Sequence, residues 1–332
     1  MFGLTETQVQ RFQDEGYLVV EHVLDEATIE AVRVEYAALL DAVSAQLFAE
    51  GKVSDTYRHL PFGERYTRLL FEYPKIFDRL DISLPLDNEG KPTEAKAHTG
   101  PAVFRMLTHA RLLDVVESIL GPEIYSNPVQ HVRIKPPRKA VRADIVENSY
   151  VSNTTWHQDQ GALLDEANDT QVLTVWVAIT DATLENGCLV SIPSSHKRNM
   201  LTLHCPGKGI AAENYIPGPL LETRKATPLP VARGGIILFH RYTEHAAYPN
   251  KTDSIRWSFD LRYNPVGQPT GRPAFPGFVA RSAAHPETAL TGPVVWAQLW
   301  HDARQRILNS EVNGPIFNQD RWSGNKKLTV CA

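Results

Sequence analysis

The sequence predicts a mainly β fold, an antiparallel sandwich or small barrel, with helices before and after it. Several short, strand-like runs lie between residues 124 and 263, turn signals separate them, and no helical pattern comes between them. Strands that follow one another in this way pair as antiparallel neighbours. Polar residues on the inward face of such a sheet indicate a pocket rather than a filled core.

Composition restricts the class of protein. A chain of 332 residues can bury a sizeable core, and its 42% hydrophobic and 22% charged content is typical of a soluble globular protein. With 34 basic and 38 acidic residues, the formal net charge of −4 excludes a general attraction to nucleic acid or anionic membrane. No signal-peptide pattern and no run near the ~18 apolar residues of a membrane span is present. We therefore expect a soluble, cytoplasmic protein.

The chain contains three cysteines, Cys188, Cys205 and Cys331. They are too few and too scattered for a disulfide framework or a cysteine-rich zinc site. The sequence therefore predicts that they are reduced.

Helical patterns flank the strands. Thr5 and Gln8 form a capping-box pattern at the start of a helix, and Gly16 is expected to end that helix. Asp25 can cap a long second helix. Further helical patterns cover Phe104 to Leu120 and Trp296 to Leu308. We expect a single domain over 1–332, consisting of a helical N-terminal support (about 1–122), a β core (about 123–265) and a C-terminal extension with a helix (about 266–332).

Two strands carry unusual polar faces. In the run from Ile124 to Lys135, one face presents Val129, His131, Arg133 and Lys135. In the run from Ile255 to Tyr263, the alternation is strict. One face presents Trp257, Phe259, Leu261 and Tyr263, and the other presents Arg256, Ser258, Asp260 and Arg262. Such faces line a pocket if they point inward, and a solvated face is the alternative.

The run Thr154 to Gly161 holds His157 and Asp159 two residues apart. On a strand these side chains share a face, and together they supply two thirds of the 2-His-1-carboxylate triad that binds non-haem Fe(II). In a chain with 12 histidines this spacing alone is weak evidence. The third ligand is expected at His245 or His240. Context favours His245, since His240 ends an apolar run and is equally suited to packing.

Two loops could contact a substrate. Arg138, Lys139 and Arg142 follow a strand and could bind an anion, although such clusters are more often simply solvated. Residues 200–230 form a Pro- and Gly-rich excursion that is long enough to suggest a functional loop.

Taken together, the motifs resemble those of the phytanoyl-CoA dioxygenase (PhyH) family of Fe(II)/2-oxoglutarate-dependent oxygenases. The resemblance covers roughly residues 10 to 263. It rests on Phe12-x-x-x-Gly16-Tyr17, Lys135-Pro136-Pro137, Trp156-His157-Gln158-Asp159, Trp176, Asn186-Gly187-Cys188, Pro193-x-x-His196, Phe239-His240, His245, Asn250 and Arg256. It implies a double-stranded β-helix (jelly-roll, cupin-like) core with helices around it.

The resemblance also implies a site. His157, Asp159 and His245 are implied as iron ligands, and Arg256, eleven residues after the distal histidine, as the partner of the far carboxylate of 2-oxoglutarate. Trp176 and His131 match positions that line the co-substrate site. Relatives often have a serine two residues after the distal histidine, where this chain has Ala247. We further expect Arg133, Asp260 and Arg262 to contact substrate.

The expected activity is therefore oxidation of an unactivated C–H bond, with Fe(II), 2-oxoglutarate and O2 as cofactor and co-substrates. Succinate and CO2 would be released. The retained Asp159 argues against halogenation, while desaturation, epoxidation and rearrangement stay open. A small-molecule substrate, and optionally a second copy of the chain in a homodimer, are the partners expected. The favoured substrate is a specialised metabolite, and an acyl-CoA is the alternative. A metal-dependent jelly-roll enzyme that does not use 2-oxoglutarate, and a non-catalytic binding protein, are the competing classes.

Overall fold

The computed structural model describes residues 2–87, 89–145, 148, 151–152, 154–207, 214–316 and 321–331. The α-helices in these ranges are α1 (Glu6–Glu15), α2 (Glu26–Ala49), α3 (Phe62–Glu72), α4 (Pro101–Leu107), α5 (Ala110–Leu120) and α6 (Pro293–Leu308). The strands are β1 (Tyr17–Val20), β2 (Ile124–Lys135), β3 (Leu173–Ala178), β4 (Leu189–Ser191), β5 (Thr227–Leu229), β6 (Ile236–His240), β7 (His245–Ala247), β8 (Arg256–Pro265) and β9 (Phe278–Arg281). None of the described helices has the length and apolar character needed to cross a bilayer.

Two antiparallel sheets form the core. The larger has the strand order β1-β6-β3-β8-β2-β9, and the smaller has the order β5-β4-β7. Trp176 and Phe239 of the large sheet share an apolar cluster with Leu189 and Ala247 of the small sheet. The Phe239 ring also stacks on the His245 ring, with centroids 4.3 Å apart. The expected jelly-roll core with flanking helices is confirmed.

The alternation in β8 separates the packing side of the large sheet from its polar side. Trp257 and Phe259 lie in the main core, where Tyr36 of α2 contacts both rings edge-on, at centroid distances of 5.1 and 5.7 Å. Burial of these large rings on one face supplies much of the free energy that holds the helices against the sheet. The charged residues of β8 consequently occupy the opposite face.

The N-terminal helices follow the sequence patterns, with one difference. Thr5 forms the capping box, Gly16 ends α1 at φ +80°, and Asp25 accepts a hydrogen bond from the Thr28 amide at 2.8 Å. The helix expected from Phe104 to Leu120 is instead two helices, α4 and α5. The break is at Thr108, whose hydroxyl donates to the Phe104 carbonyl at 2.9 Å, a local bond that competes with helix continuation.

The large sheet extends beyond the predicted core range of 123–265. β1 pairs with β6, and β9 pairs with β2, so segments before and after the predicted core range form the two edge strands of the sheet. These pairings join residues that are far apart in sequence, which local patterns do not reveal.

The cysteines also differ from the expectation. Cys205 and Cys331 form a disulfide, with their Cα atoms 5.4 Å apart, and Cys188 is free and buried. A separation of 126 residues carries no sequence signal that the two thiols meet. The prediction that all three cysteines are reduced is therefore wrong for this pair.

Candidate metal centre

The His157 segment is not the strand that the sequence predicted. It is a single β-bridge between His157 and His245, followed by a 3-10 turn over Asp159–Ala162. The two histidines exchange backbone hydrogen bonds of 3.0 Å in both directions. This pairing sets the two imidazoles side by side, with centroids 4.2 Å apart, and the turn then brings the carboxylate of Asp159 beneath them.

Three potential ligands converge at this point. One donor atom from each of His157, Asp159 and His245 lies within 4.8 Å of the other two, the only such cluster found among the described residues. The Nε2 atom of His157 is 4.0 Å from Oδ1 of Asp159, and that of His245 is 3.7 Å from Oδ2. Donors this close can bind one ion through bonds of roughly 2 Å. Two imidazoles and one carboxylate are a donor set that fits Fe(II).

Backbone carbonyls orient both imidazoles. Nδ1 of His157 lies 2.8 Å from the Thr155 carbonyl oxygen, and Nδ1 of His245 lies 3.0 Å from that of Thr243. Since a carbonyl only accepts, Nδ1 carries the hydrogen in each ring, and the lone pair of Nε2 faces the centre. Burial lowers the pKa of His245 to about 4, so its ring is in the neutral form that a metal requires at pH 7.

Asp159 is fully buried and ionised. Burial alone would raise its pKa, but the Arg262 guanidinium and the two histidines hold the pKa of this carboxyl well below its usual range. The Thr174 hydroxyl donates to Oδ2 at 2.7 Å, and Nη2 of Arg262 donates to Oδ1. The carboxylate is thus oriented before any ion binds.

Arg262 lies beside the carboxylate of Asp159. Besides Asp159, it binds the Val129 carbonyl oxygen through Nη1 at 2.9 Å, and its side chain is almost fully buried. A permanently charged guanidinium beside a buried carboxylate is stabilised there rather than at the pocket surface. Arg262 therefore contacts the carboxylate of Asp159, and its contact with substrate stays a prediction.

We expect Arg262→Met to lower the free energy of unfolding of the metal-free protein by about 3 kcal/mol, because removing one partner leaves a buried charge uncompensated. A divalent ion supplies positive charge to the same carboxylate, so the loss is smaller in Mn(II)-saturated protein. Urea unfolding of wild type and variant, with and without Mn(II), measures both losses. Arg33→Met, at a half-exposed position, is the control, with an expected change within about 0.5 kcal/mol. Equal losses with and without Mn(II) would contradict this role of Arg262.

Arg256 is a buried cation with unused hydrogen-bond donors. It is 1% exposed, and its Nη1 donates to the Ser258 hydroxyl at 2.7 Å. Nε and Nη2 have no hydrogen-bond partner within the described part of the chain. Its guanidinium lies 5.3 Å from the centroid of the Trp176 ring, and burial lowers its pKa to about 10, which leaves it charged at pH 7. Unused donors on a buried cation are costly, and a carboxylate ligand such as that of 2-oxoglutarate fits them.

The other expected site residues contact nearby ionisable side chains. Nδ1 of His131 is 2.8 Å from Oδ2 of Asp81, a residue that sequence reasoning missed because no motif surrounds it. Nε of Arg133 donates to Oδ2 of Asp260 at 2.9 Å. Arg133 and Asp260 therefore bind each other, and Oδ1 of Asp260 keeps no hydrogen-bond partner among the described residues.

His240, the alternative third ligand, lies outside the cluster. Its Nδ1 accepts a hydrogen bond from the Tyr242 amide at 3.2 Å, and its ring centroid is 5.0 Å from that of His196. Burial, and then the electrostatic effects of His196 and Arg241, lower the pKa of His240 to about 4. The structure thus brings His245, not His240, to His157 and Asp159.

The lowered pKa of His240 predicts acid sensitivity. Because its pKa is about 4 in the folded state and about 6.5 when unfolded, the unfolded state binds the extra proton between these values. Stability is therefore full above about pH 6.5 and falls as the pH is lowered toward 4. Between pH 7 and 5, His240→Gln should lose less thermal stability than wild type, as melting temperatures would show. His285→Gln, with a side chain 71% exposed, should behave like wild type. An unchanged slope for His240→Gln would contradict the assignment.

Comparison with known proteins agrees with this geometry. The model of the family described as Phytanoyl-CoA dioxygenase (PhyH) matches residues 12–258, about three quarters of the chain. Among curated relatives, phytanoyl-CoA dioxygenase domain-containing protein 1 of Mus musculus is 26% identical over 285 residues, covering 79% of this chain and 90% of that protein. Methylphosphonate hydroxylase of Gimesia maris is 25% identical over 286 residues, covering 86% of this chain and 90% of that protein.

A solved structure supports the fold. The non-heme monooxygenase ThoJ, in its apo form, aligns with a TM-score of 0.56 at 20% identity, covering 91% of this chain and 99% of the ThoJ chain. At this identity the likeness speaks for the jelly-roll fold alone, whereas the family match covers the core from β1 to the first residues of β8. The chain belongs to the phytanoyl-CoA dioxygenase family, an oxygenase family.

Proposed function

We propose that the chain is an Fe(II)- and 2-oxoglutarate-dependent oxygenase that oxidises an unactivated C–H bond of a small organic molecule. For a hydroxylation, substrate, 2-oxoglutarate and O2 give alcohol, succinate and CO2. When bound, the metal would activate O2, the oxidant of this reaction, and 2-oxoglutarate would supply two of the four electrons that O2 takes up, the C–H bond supplying the other two. The observation that carries the proposal is the cluster of His157, Asp159 and His245 together with the buried, under-bonded Arg256.

Each residue has a proposed part. His157 and His245 donate Nε2 to the ion, while the carbonyls of Thr155 and Thr243 keep the rings in the correct tautomer. Asp159 donates a carboxylate oxygen. Three protein ligands on one side leave other coordination positions open for a bidentate co-substrate and O2.

Arg256 is proposed to bind the far carboxylate of 2-oxoglutarate. Trp176 lies beside its guanidinium and is proposed to line the same end of the site. His131, paired with Asp81, is proposed to line the same co-substrate pocket. Ala247 is buried and offers no hydroxyl, so Arg256 would carry more of the binding than in relatives with a serine there.

We propose a specialised metabolite as substrate. The range of oxygenase names among the relatives, from phytanoyl-CoA dioxygenase to methylphosphonate hydroxylase, supports a small organic substrate without selecting one. Arg133 and Asp260 line the inward face of the large sheet, and Oδ1 of Asp260 has an unused acceptor position that suits a donor group on the substrate.

An acyl-CoA substrate is the second candidate, and one observation favours it. Arg138, Lys139 and Lys251 line a surface cavity of about 410 Å³ together with Asn250 and Thr252. Three cations around one cavity suit phosphate groups. Against an acyl-CoA substrate, Lys139 already pairs with Asp253, and both side chains are largely exposed.

Neither competing class of protein accounts for both the buried Arg256 and the three converging ligands. A jelly-roll metalloenzyme that does not use 2-oxoglutarate has no need for a buried guanidinium with two unused donor groups. A non-catalytic binding protein has no need for three converging ligands. Both features are present here, and they favour the oxygenase.

A substrate screen tests the proposal. The protein, loaded with Fe(II) under controlled O2, is offered a panel of small metabolites and a panel of acyl-CoAs, and succinate is measured above the uncoupled background. Succinate formed with a metabolite supports the first candidate, and succinate formed only with acyl-CoAs supports the second. If 2-oxoglutarate is never consumed by iron-loaded protein, the proposal is wrong. The cytoplasmic location and the optional homodimer stay predictions.

A further inference from the structure

The C-terminal segment, residues 321–331, lies against the turn that carries Asp159. Arg321 donates through Nη1 to the Leu163 carbonyl at 3.1 Å and through Nη2 to Oδ1 of Asn168 at 2.8 Å. Nε1 of Trp322 donates to the Gly161 carbonyl at 3.3 Å. Gly161 lies in the 3-10 turn, Leu163 follows it directly, and Asn168 lies six residues after its end. We call residues 321–331 the C-terminal strap.

His204 connects the strap to the proposed ligands themselves. Its ring stacks on Trp322, with centroids 4.9 Å apart, and Nδ2 of Asn325 donates to its carbonyl at 2.8 Å. Nδ1 of His204 donates to the Thr202 carbonyl at 2.7 Å, so Nε2 is the acceptor of the ring. That atom accepts the backbone N–H of Gln158 at 3.2 Å. Gln158 is the residue between His157 and Asp159.

The Gln158 side chain leaves little freedom around this contact. Its Nε2 donates to the Tyr242 carbonyl at 2.8 Å, and its Oε1 accepts the Thr202 amide at 2.7 Å. A methyl group added to Gly161 would lie only 3.2 Å from Nε2 of His204. The turn and the 202–204 segment are therefore in close contact, with no room for the ring to shift inward.

The disulfide holds this arrangement together. Cys205 follows His204 directly and is bonded to Cys331 at the far end of the strap. Cys205 also exchanges backbone hydrogen bonds with Tyr215, and the next residue, Ile216, donates to the Trp156 carbonyl at 2.7 Å. Trp156, the residue before His157, is thus tied to the residues around the disulfide.

We propose that the C-terminal strap is a positioning element for the metal-binding turn, acting through Trp322 and His204, and that the Cys205–Cys331 bond retains it. The proposal rests on the proposed function in that this turn and the bridge residue just before it carry two of the proposed ligands, Asp159 and His157. Reduction by a dithiol would release the strap. The S–S bond takes two electrons and two protons and becomes two thiols, while the dithiol is oxidised to a disulfide. The site would then be looser in the reduced protein.

Hydrogen exchange of the metal-free protein tests the strap without relying on activity. The variants are Cys331→Ser, which removes the covalent bond, and Trp322→Phe, which keeps the stacked ring but removes the donor to Gly161. Lys327→Ala, at an exposed strap position, is the matched control. We expect the peptide containing Gln158 to exchange about tenfold faster in Cys331→Ser and about fivefold faster in Trp322→Phe, the latter being the factor for one hydrogen bond. Lys327→Ala should match wild type.

Mn(II) titration followed by electron paramagnetic resonance is the second readout. We expect Mn(II) to bind about tenfold more weakly to Cys331→Ser than to wild type. The same loss is expected for wild type that was reduced with a dithiol, alkylated and desalted. Tenfold is the lower end of the range for residues that orient metal ligands. The dithiol should leave Cys331→Ser unchanged. Circular dichroism shows whether Cys331→Ser folds. If it does not fold, Trp322→Phe and the reduced wild type test the proposal in its place.

Two results would overturn the proposal. One is unchanged exchange at Gln158 in folded Cys331→Ser and Trp322→Phe. The other is an Mn(II) affinity equal to that of untreated wild type in both Cys331→Ser and the reduced, alkylated wild type. These outcomes leave the proposed function intact if wild type binds Mn(II). If wild type itself binds no metal, the proposed function fails, and the exchange measurement still decides on the strap.

Discussion

Asp159→Ala abolishes coupled turnover of 2-oxoglutarate, with a fall of at least about 100-fold in succinate formation. The loss exceeds the 10- to 100-fold cost of removing a group that merely orients a ligand, because Asp159 is proposed as a ligand itself. It also leaves Arg262 as an uncompensated cation beside the two imidazoles. Succinate formation with the best substrate of the screen measures the effect, and His157→Ala should behave in the same way.

A matched control separates this effect from general damage. Asp302 is an exposed carboxylate on α6 that bonds Gln298, so Asp302→Ala should retain wild-type turnover. Mn(II) binding should be lost in Asp159→Ala and retained in Asp302→Ala. Full coupled turnover by Asp159→Ala would mean that the cluster is not the reactive centre.

Arg256→Met weakens 2-oxoglutarate binding by at least about tenfold, since charge-assisted hydrogen bonds contribute about 1.5–3 kcal/mol each. The same substitution should raise the stability of the protein without 2-oxoglutarate. Methionine fills part of the volume and removes a buried cation whose Nε and Nη2 have no partner among the described residues. Isothermal titration with 2-oxoglutarate and urea unfolding measure the two effects in one preparation.

The opposite signs of these effects distinguish a binding residue from a structural one. Arg256→Lys keeps the charge but loses bidentate geometry, and its affinity for 2-oxoglutarate should lie between those of wild type and Arg256→Met. If Arg256→Met destabilised the protein and left the affinity for 2-oxoglutarate unchanged, Arg256 would be a structural residue. Arg33→Met, at a half-exposed position, serves again as the control.

The parts of the site that the sequence predicted are those encoded at short range. The alternation of β8 assigns Trp257 and Phe259 to the core and Arg256 and Arg262 to the other face. This assignment needs no distant contact, because successive side chains of a strand point to opposite faces. The spacing of His157 and Asp159 likewise pointed to a shared site. The predicted strand is wrong, since a β-bridge and a 3-10 turn bring the two side chains together.

Long-range contacts were beyond the sequence patterns. Asp81 beside His131, His204 beside Gln158, and Cys205 bonded to Cys331 join segments 46 to 126 residues apart. Nothing in the local composition of either partner marks these pairs. The alternation of β8 correctly placed Arg262 on the polar face of the strand. It could not show that Asp159, 103 residues away, lies beside Arg262.

The charge arrangement of the site follows from these pairs. Arg262 is paired with Asp159, and Arg133 is paired with Asp260. Arg256 remains with unused donors on the same face of the sheet. A dianionic co-substrate that binds a cation at one end and a metal ion at the other suits this arrangement.

The most direct measurement is an anaerobic titration of the Fe(II)-loaded protein with 2-oxoglutarate, followed by absorption spectroscopy. We expect a new visible band from the iron chelate, which saturates at one 2-oxoglutarate per iron. The band should be absent in Asp159→Ala and should need higher 2-oxoglutarate in Arg256→Met. Iron-loaded wild type that shows no band at saturating 2-oxoglutarate would contradict the account.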